Sequence, residues 1–203
     1  MDSYDIKREF KSLYAPRGTD FEEVDVPEIP HIAVDGAGNP NTSPAYAEAL
    51  EALYPVAYAL KFAHKARGRD CVVGPLEGLW WADDLSTFVS RDKDAWRWTM
   101  LITVAPWTTE DDFRAAVDKS AKKDLPALGL VRFSSLVEGR CLQILHLGPY
   151  DDEGPTLRRL HEEVMPARGL TFNGRHHEIY LSDPRRTAPE KLKTVLRQPV
   201  APG

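Results

Sequence analysis

The chain has 203 residues, of which 42% are hydrophobic and 28% charged, with a formal net charge of -5. That suits one domain or two small halves sharing a core, excludes general disorder, and gives no electrostatic reason to attract nucleic acid or anionic lipid. The two cysteines, Cys71 and Cys141, lie in apolar runs and read as buried reduced thiols, not a disulfide framework.

The N-terminus, Met1 to Lys11, is dense in charge and lacks the apolar core of a signal peptide. Ile6, Phe10, Leu13 and Tyr14, at spacings of three and four, predict one short helix, and the acidic stretch Asp20 to Asp25 reads as loop. His31 to Asp35 reads as a strand, ended by the turn-formers Gly36-Ala37-Gly38-Asn39-Pro40-Asn41. Thr42 or Ser43 then caps a helix with Pro44 in its first turn, a stripe from Tyr46 to Phe62, a kink at Pro55 and an end at Gly68. That helix carries Glu48, Glu51, Pro55 and Lys61, so it is a core helix and not a membrane span.

Cys71 to Ala82 reads as a strand interrupted at Gly74-Pro75, and Trp96 to Val104 as its hairpin partner across a charged loop through Asp83 to Asp94. Thr109 opens a second helix that runs to Lys123. Leu130 to Phe133 and Cys141 to Leu147 are expected to form a hairpin through Glu138-Gly139. The loop Gly148 to Glu153 caps a helix with the stripe Leu157, Leu160, His161, Val164 and Met165. In the strand from His176, alternation puts His176, Glu178, Tyr180 and Ser182 on one face and His177, Ile179 and Leu181 on the other, until Asp183-Pro184 stops it. Leu192 to Val200 is the last strand.

Residues 31–105 and 141–200 share one order: strand, glycine loop, helix, Glu-bearing strand, strand. Laid side by side, Glu77 in Leu76-Glu77-Gly78-Leu79 is expected to correspond to Glu178 in His177-Glu178-Ile179-Tyr180. The expected organisation is a lead-in at 1–27, a first half at 28–106, a linking helix at 107–125 and a second half at 126–203.

Four motifs, Asp35 to Asn41, Pro75 to Trp81, His146 to Glu153 and His176 to Pro184, make the chain resemble the GyrI-like small-molecule-binding proteins from about Pro27 to Val200. The resemblance implies an α+β fold of two βαββ units of the SHS2 type, with antiparallel sheets, helices on one side and a central ligand groove. It implies a groove lined by aromatic rings around a buried glutamate. It also implies bulky, often cationic or aromatic ligands, and a free-standing member, since no DNA-binding domain is attached. One free-standing subfamily consists of hydrolases that open cyclopropane rings of DNA-alkylating natural products.

If the two halves are related by a pseudo-twofold, Glu77 and Glu178 face a shared groove whose candidate rings are Tyr46, Tyr54, Trp81, Trp98, Trp107, Tyr150 and Tyr180. Trp80, Trp96 and Tyr58 point toward helix packing and read as core; Trp98 and Trp107 fit core or groove. Two functions follow. The chain is a receptor holding a bulky aromatic or cationic compound on Glu178. Alternatively, it is a hydrolase in which Glu77 or Glu178 activates water and Tyr150 or Tyr180 orients it. An adaptor role for the acidic loop 83–94 ranks third. No cofactor is expected: adjacent His176 and His177 face opposite ways, no metal-ligand spacing occurs, and there is no nucleophile elbow or phosphate loop. The expected setting is cytoplasmic, as monomer or homodimer, with no membrane or nucleic-acid partner.

Overall fold

The apolar positions of residues 44–66 recur every three or four residues, and the chain there forms a single helix. The computed structural model of the protein describes residues 3–83 and 92–203. Its helix α3 (Pro44–Ala66) has Pro44 in the first turn and Gly68 just past its end at φ 80°, a value that favours glycine. Ala49, Ala52, Leu53, Val56, Ala57 and Leu60 are its buried stripe; Leu53 and Leu60 each contribute about 1.5–3 kcal/mol of apolar burial. Two shorter helices precede it, α1 (Ile6–Glu9) and α2 (Lys11–Tyr14), where the spacing had predicted one.

Two units divide the chain: Met1–Glu9 with Ile29–Leu136, and Phe10–Glu28 with Val137–Gly203. The first contains β2 (Ile29–Ala37), α3, β3 (Leu76–Trp81), β4 (Arg97–Thr103), α4 (Glu110–Ser120) and β5 (Arg132–Leu136), in the antiparallel order β3-β4-β2-β5. Helix α4 opens with a capping box: the Asp112 amide donates to Thr109 Oγ1 at 3.2 Å and the Thr109 amide to Asp112 Oδ2 at 3.1 Å. It packs on α3, within the first unit.

The second unit contains β1 (Glu22–Val26), β6 (Gly139–Leu147), α5 (Gly154–Arg159), a π-helical turn (Leu160–Val164), α6 (Met165–Ala167), β7 (Leu170–Phe172), β8 (His176–Tyr180) and β9 (Lys193–Pro202). Its order is β1-β6-β9-β8, with β7 on β9. The fold is therefore α+β, and each unit repeats one scheme. A βαββ set of three strands (β2, β3, β4 or β6, β8, β9) gains a fourth strand, β5 or β1, that in the chain just precedes the other set.

That exchange overturns two expectations. Strand β5 pairs with β2 (Ile29↔Leu136) and β6 pairs with β1 (Gly139↔Val26), so the expected 130–147 hairpin does not form. The acidic stretch read as loop is strand β1. Its charges are accommodated along β6, where Arg140 grips Glu23 with two hydrogen bonds of 2.7 and 3.0 Å and Gln143 donates to Glu22 at 2.9 Å. Of the charged loop 83–94, residues 84–91 lie outside the described residues.

A buried polar network fastens the N-terminal segment of the second unit. Arg197 on β9 donates to Glu138 Oε2 (3.1 Å), Gln143 Oε1 (3.1 Å) and the Leu13 carbonyl (2.8 Å). Gln143 donates to the Ser12 carbonyl, and His177 Nδ1 lies 3.0 Å from Glu138 Oε1. Burial raises the Glu138 carboxyl, but the charges and hydrogen bonds of His177 and Arg197 outweigh it and hold the group at about 2.

Trp98 is fully buried, and its ring takes the space a side chain at Gly36 would need. A methyl group there would overlap the ring, so Gly36→Ala is expected to destabilise the fold by about 1–3 kcal/mol, read as a lower urea midpoint. An unchanged midpoint would mean that the Trp98 ring moves aside freely.

Candidate functional site

Strand β8 ends in Glu178-Ile179-Tyr180, and its alternation is as predicted: His177 and Ile179 are buried, whereas His176, Glu178 and Tyr180 share the other face. Ladder partners fix what that face meets. Glu178 lies opposite Leu196, Leu196 opposite Ile144, and Tyr180 opposite Thr194, which pairs with His146. Leu196 and Ile144 belong to the core that Leu160 and Met165 cover from the helical side. Glu178 therefore stands on the helix-covered face of its sheet, with its side chain only 14% exposed.

A short hydrogen bond organises the site. Tyr180 donates its hydroxyl to Glu178 Oε2 at 2.7 Å, which leaves Oε1 for other work. Oε1 is 3.5 Å from His176 Nε2. The Tyr150 ring meets the Tyr180 ring edge-on at 5.5 Å. Burial, followed by the charges of Glu153, Glu178 and Asp183, pushes the Tyr150 phenol up to about 12. It keeps its proton at neutral pH and can act only as a hydrogen-bond donor or acceptor. Thr194 Oγ1, beside Tyr180 on the same face, is buried without a hydrogen-bond partner.

The residues singled out in the first unit take other places. Tyr46 of α3 stacks on Trp80 at 6.4 Å and meets Trp98 edge-on at 5.3 Å; Trp96 completes this cluster against Trp80. Trp98 is core, and its Nε1 donates to the Gly38 carbonyl at 3.3 Å. Trp107 packs against Tyr4 and His64, with the Arg69 guanidinium 5.9 Å from its ring. Tyr54 borders an open groove between α3 and α4 together with Tyr58, Phe62, Lys119 and Lys123.

Glu77 is 1% exposed, and Trp81 follows on the same face of β3 at its end, opposite Arg97. The expected equivalence of Glu77 and Glu178 does not hold. Glu77 lies opposite Leu101, which pairs with Ala33. The matching rung of the second unit is His177, Arg197 and Gln143, so Glu178 corresponds to Gly78. A one-residue offset turns a side chain to the other face, and Glu77 stands in its unit where His177 stands in the other. The sequence reading also passed over His176, which alternation had already put on the face of Glu178. Ion pairs occupy two arginines of the central strands: Arg97 binds Asp83 at 2.8 Å and Arg197 binds Glu138.

The GyrI-like small molecule binding domain matches residues 19–201. The chain belongs to that family. Among solved structures, this GyrI-like protein is similar to an uncharacterized conserved protein from Listeria innocua, with 38% identity, 98% of this chain and 100% of the other covered, and a TM-score of 0.88. It is similar to a hydrolase from Listeria innocua at 36% identity, with 98% and 100% covered and a TM-score of 0.84. The C-terminal domain of EcmrR shares the fold at 12% identity, with 91% and 98% covered and a TM-score of 0.59. No curated protein matches the chain. No helix among the described residues is long and apolar enough to cross a membrane.

Proposed function

We propose that this GyrI-like protein binds an electrophilic small molecule and hydrolyses it, with Glu178 as the general base. The observation that carries this is the Tyr180–Glu178 hydrogen bond of 2.7 Å on a largely covered face. It fixes one carboxylate oxygen and presents the other, which is how a base is oriented for a water molecule. The hydrolase from Listeria innocua, 36% identical over the full length, supports the reaction class. The family resemblance supplies the substrate class, the strained cyclopropane of a DNA-alkylating natural product, and we take a carbonyl conjugated to the ring as the electron sink that ring opening requires.

Glu178 Oε1 takes a proton from water as the water oxygen bonds to a ring carbon. The strained carbon–carbon bond breaks, and its electron pair moves through the conjugated system to the carbonyl oxygen. That oxygen then gains a proton, so the net change is addition of one water. Tyr150, which retains its proton and lies against the Tyr180 ring, donates in this reading to the oxygen that becomes negative. Incubating the protein with a cyclopropane-bearing DNA alkylator and following products by mass spectrometry should show a species heavier by one water. Recovery of unaltered alkylator at the no-enzyme rate would refute catalysis.

A carboxylate bonded to Tyr180, whose ring meets that of Tyr150, also suits a cation, each ring contributing about 0.5–2 kcal/mol. The receptor reading therefore keeps its place: cationic aromatic dyes such as rhodamines should quench tryptophan fluorescence saturably and compete with the alkylator. Saturable binding without turnover would favour the receptor alone.

A further inference from the structure

Three imidazole nitrogens in the second unit are buried and lack hydrogen-bond partners: both nitrogens of His176, and Nε2 of His161. A buried polar atom left so is costly, and native proteins satisfy the great majority of such atoms. His176 is 11% exposed, and its Nε2 faces the Glu178 oxygen that Tyr180 leaves free, 3.5 Å away, just beyond hydrogen-bond length. His161 lies in the π-helical turn Leu160–Val164, a distortion frequent at functional sites, with its ring edge-on to Phe172 at 4.9 Å. Among the described residues, no group of three or more His, Cys, Asp or Glu is arranged to hold a metal ion. The chemistry left for these nitrogens is that of protons.

We propose that His176 is the proton relay of Glu178, a positioning residue that resets the base after each turnover. The proposal rests on the hydrolase reading. The proton that Glu178 draws from water passes from Oε1 to His176 Nε2, which restores the carboxylate and leaves an imidazolium. The imidazolium gives that proton to the oxygen anion released by ring opening, directly or through water, and so returns to neutral imidazole. Burial and the nearby His176 hold His161 at about 4, so it stays neutral and does not compete for the proton. Tyr180 on the same strand donates to Glu178, and Glu178 acts on Tyr150 together with Glu153 and Asp183.

Two measurements on the full chain test this. In NMR spectra recorded at one fixed pH, Glu178→Gln should move the imidazole nitrogen resonances of His176 away from their wild-type positions, since the facing carboxylate orients the ring and its proton. Identical resonances in both proteins overturn the pairing. With the cyclopropane-bearing alkylator as substrate, His176→Asn should lower kcat by roughly 10²-fold with KM little changed. His176→Gln serves as the second variant if Asn does not fold. If wild type turns over and both variants keep its kcat, the relay alone is wrong. If wild type shows no turnover, the hydrolase reading fails and the relay falls with it.

Discussion

Replacing Arg197 with methionine is expected to destabilise the protein by about 3–5 kcal/mol, because it leaves the Glu138 carboxylate buried with half of its charge partners gone. The pair is well placed for such a loss: the Arg197 and Glu138 side chains are 1% and 3% exposed, and the guanidinium also satisfies Gln143 and the Leu13 carbonyl. For a chain of this length that corresponds to a fall in Tm of roughly 6–20 °C. Arg140→Gln, which breaks the Glu23 pair where both side chains are 44% exposed, should cost far less. Equal losses for the two variants would show that burial does not set the value of the Arg197 pair.

The same network gives an acid signature. Glu138 is held below its ordinary value of 4.5, at about 2, so its contribution is fully present above pH 4.5 and is lost as pH falls toward 2. Melting curves between pH 5 and pH 2 should fall more steeply for wild type than for Glu138→Gln, which has no carboxyl to protonate there. Parallel pH dependences would remove Glu138 from the acid transition.

What the sequence disclosed follows the range of the forces involved. Strand alternation at His176 to Tyr180, the capping box at Thr109 and the helix end at Gly68 are local, and all three are visible in the order of residues. Strand β1 was hidden because its pattern Glu-Glu-Val-Asp-Val looks like solvated loop until Arg140 and Gln143 on β6 supply partners more than a hundred residues away. The exchange of β1 and β5 was likewise invisible, since Glu138-Gly139, at the two-residue link between β5 and β6, reads as a hairpin turn. Glu138 in that link is a buried member of the Arg197 network. The match of Glu77 with Glu178 failed for a related reason. Similar motifs aligned by eye placed glutamate on glutamate, but register belongs to the ladder, and the ladder sets Glu77 beside Leu101 and His177 beside Arg197.

That offset yields the sharpest expectation for catalysis. Glu178→Gln keeps the size of the side chain and an oxygen for the Tyr180 hydroxyl, yet removes the base. With the alkylator as substrate, kcat should fall roughly 10²–10⁴-fold, while KM changes little. Tyr180→Phe releases Oε2 and should lower kcat less, on the order of 10-fold, because the base survives but loses its orientation. Glu77 lies on the rung that matches His177, and its own neighbours across the ladder are Leu101 and Ala33, members of an apolar cluster with Leu79. Glu77→Gln should therefore leave kcat within a few-fold of wild type. A rate for Glu77→Gln as low as that of Glu178→Gln would mean that the two carboxylates act as a pair, and the assignment of the base to Glu178 alone would be wrong.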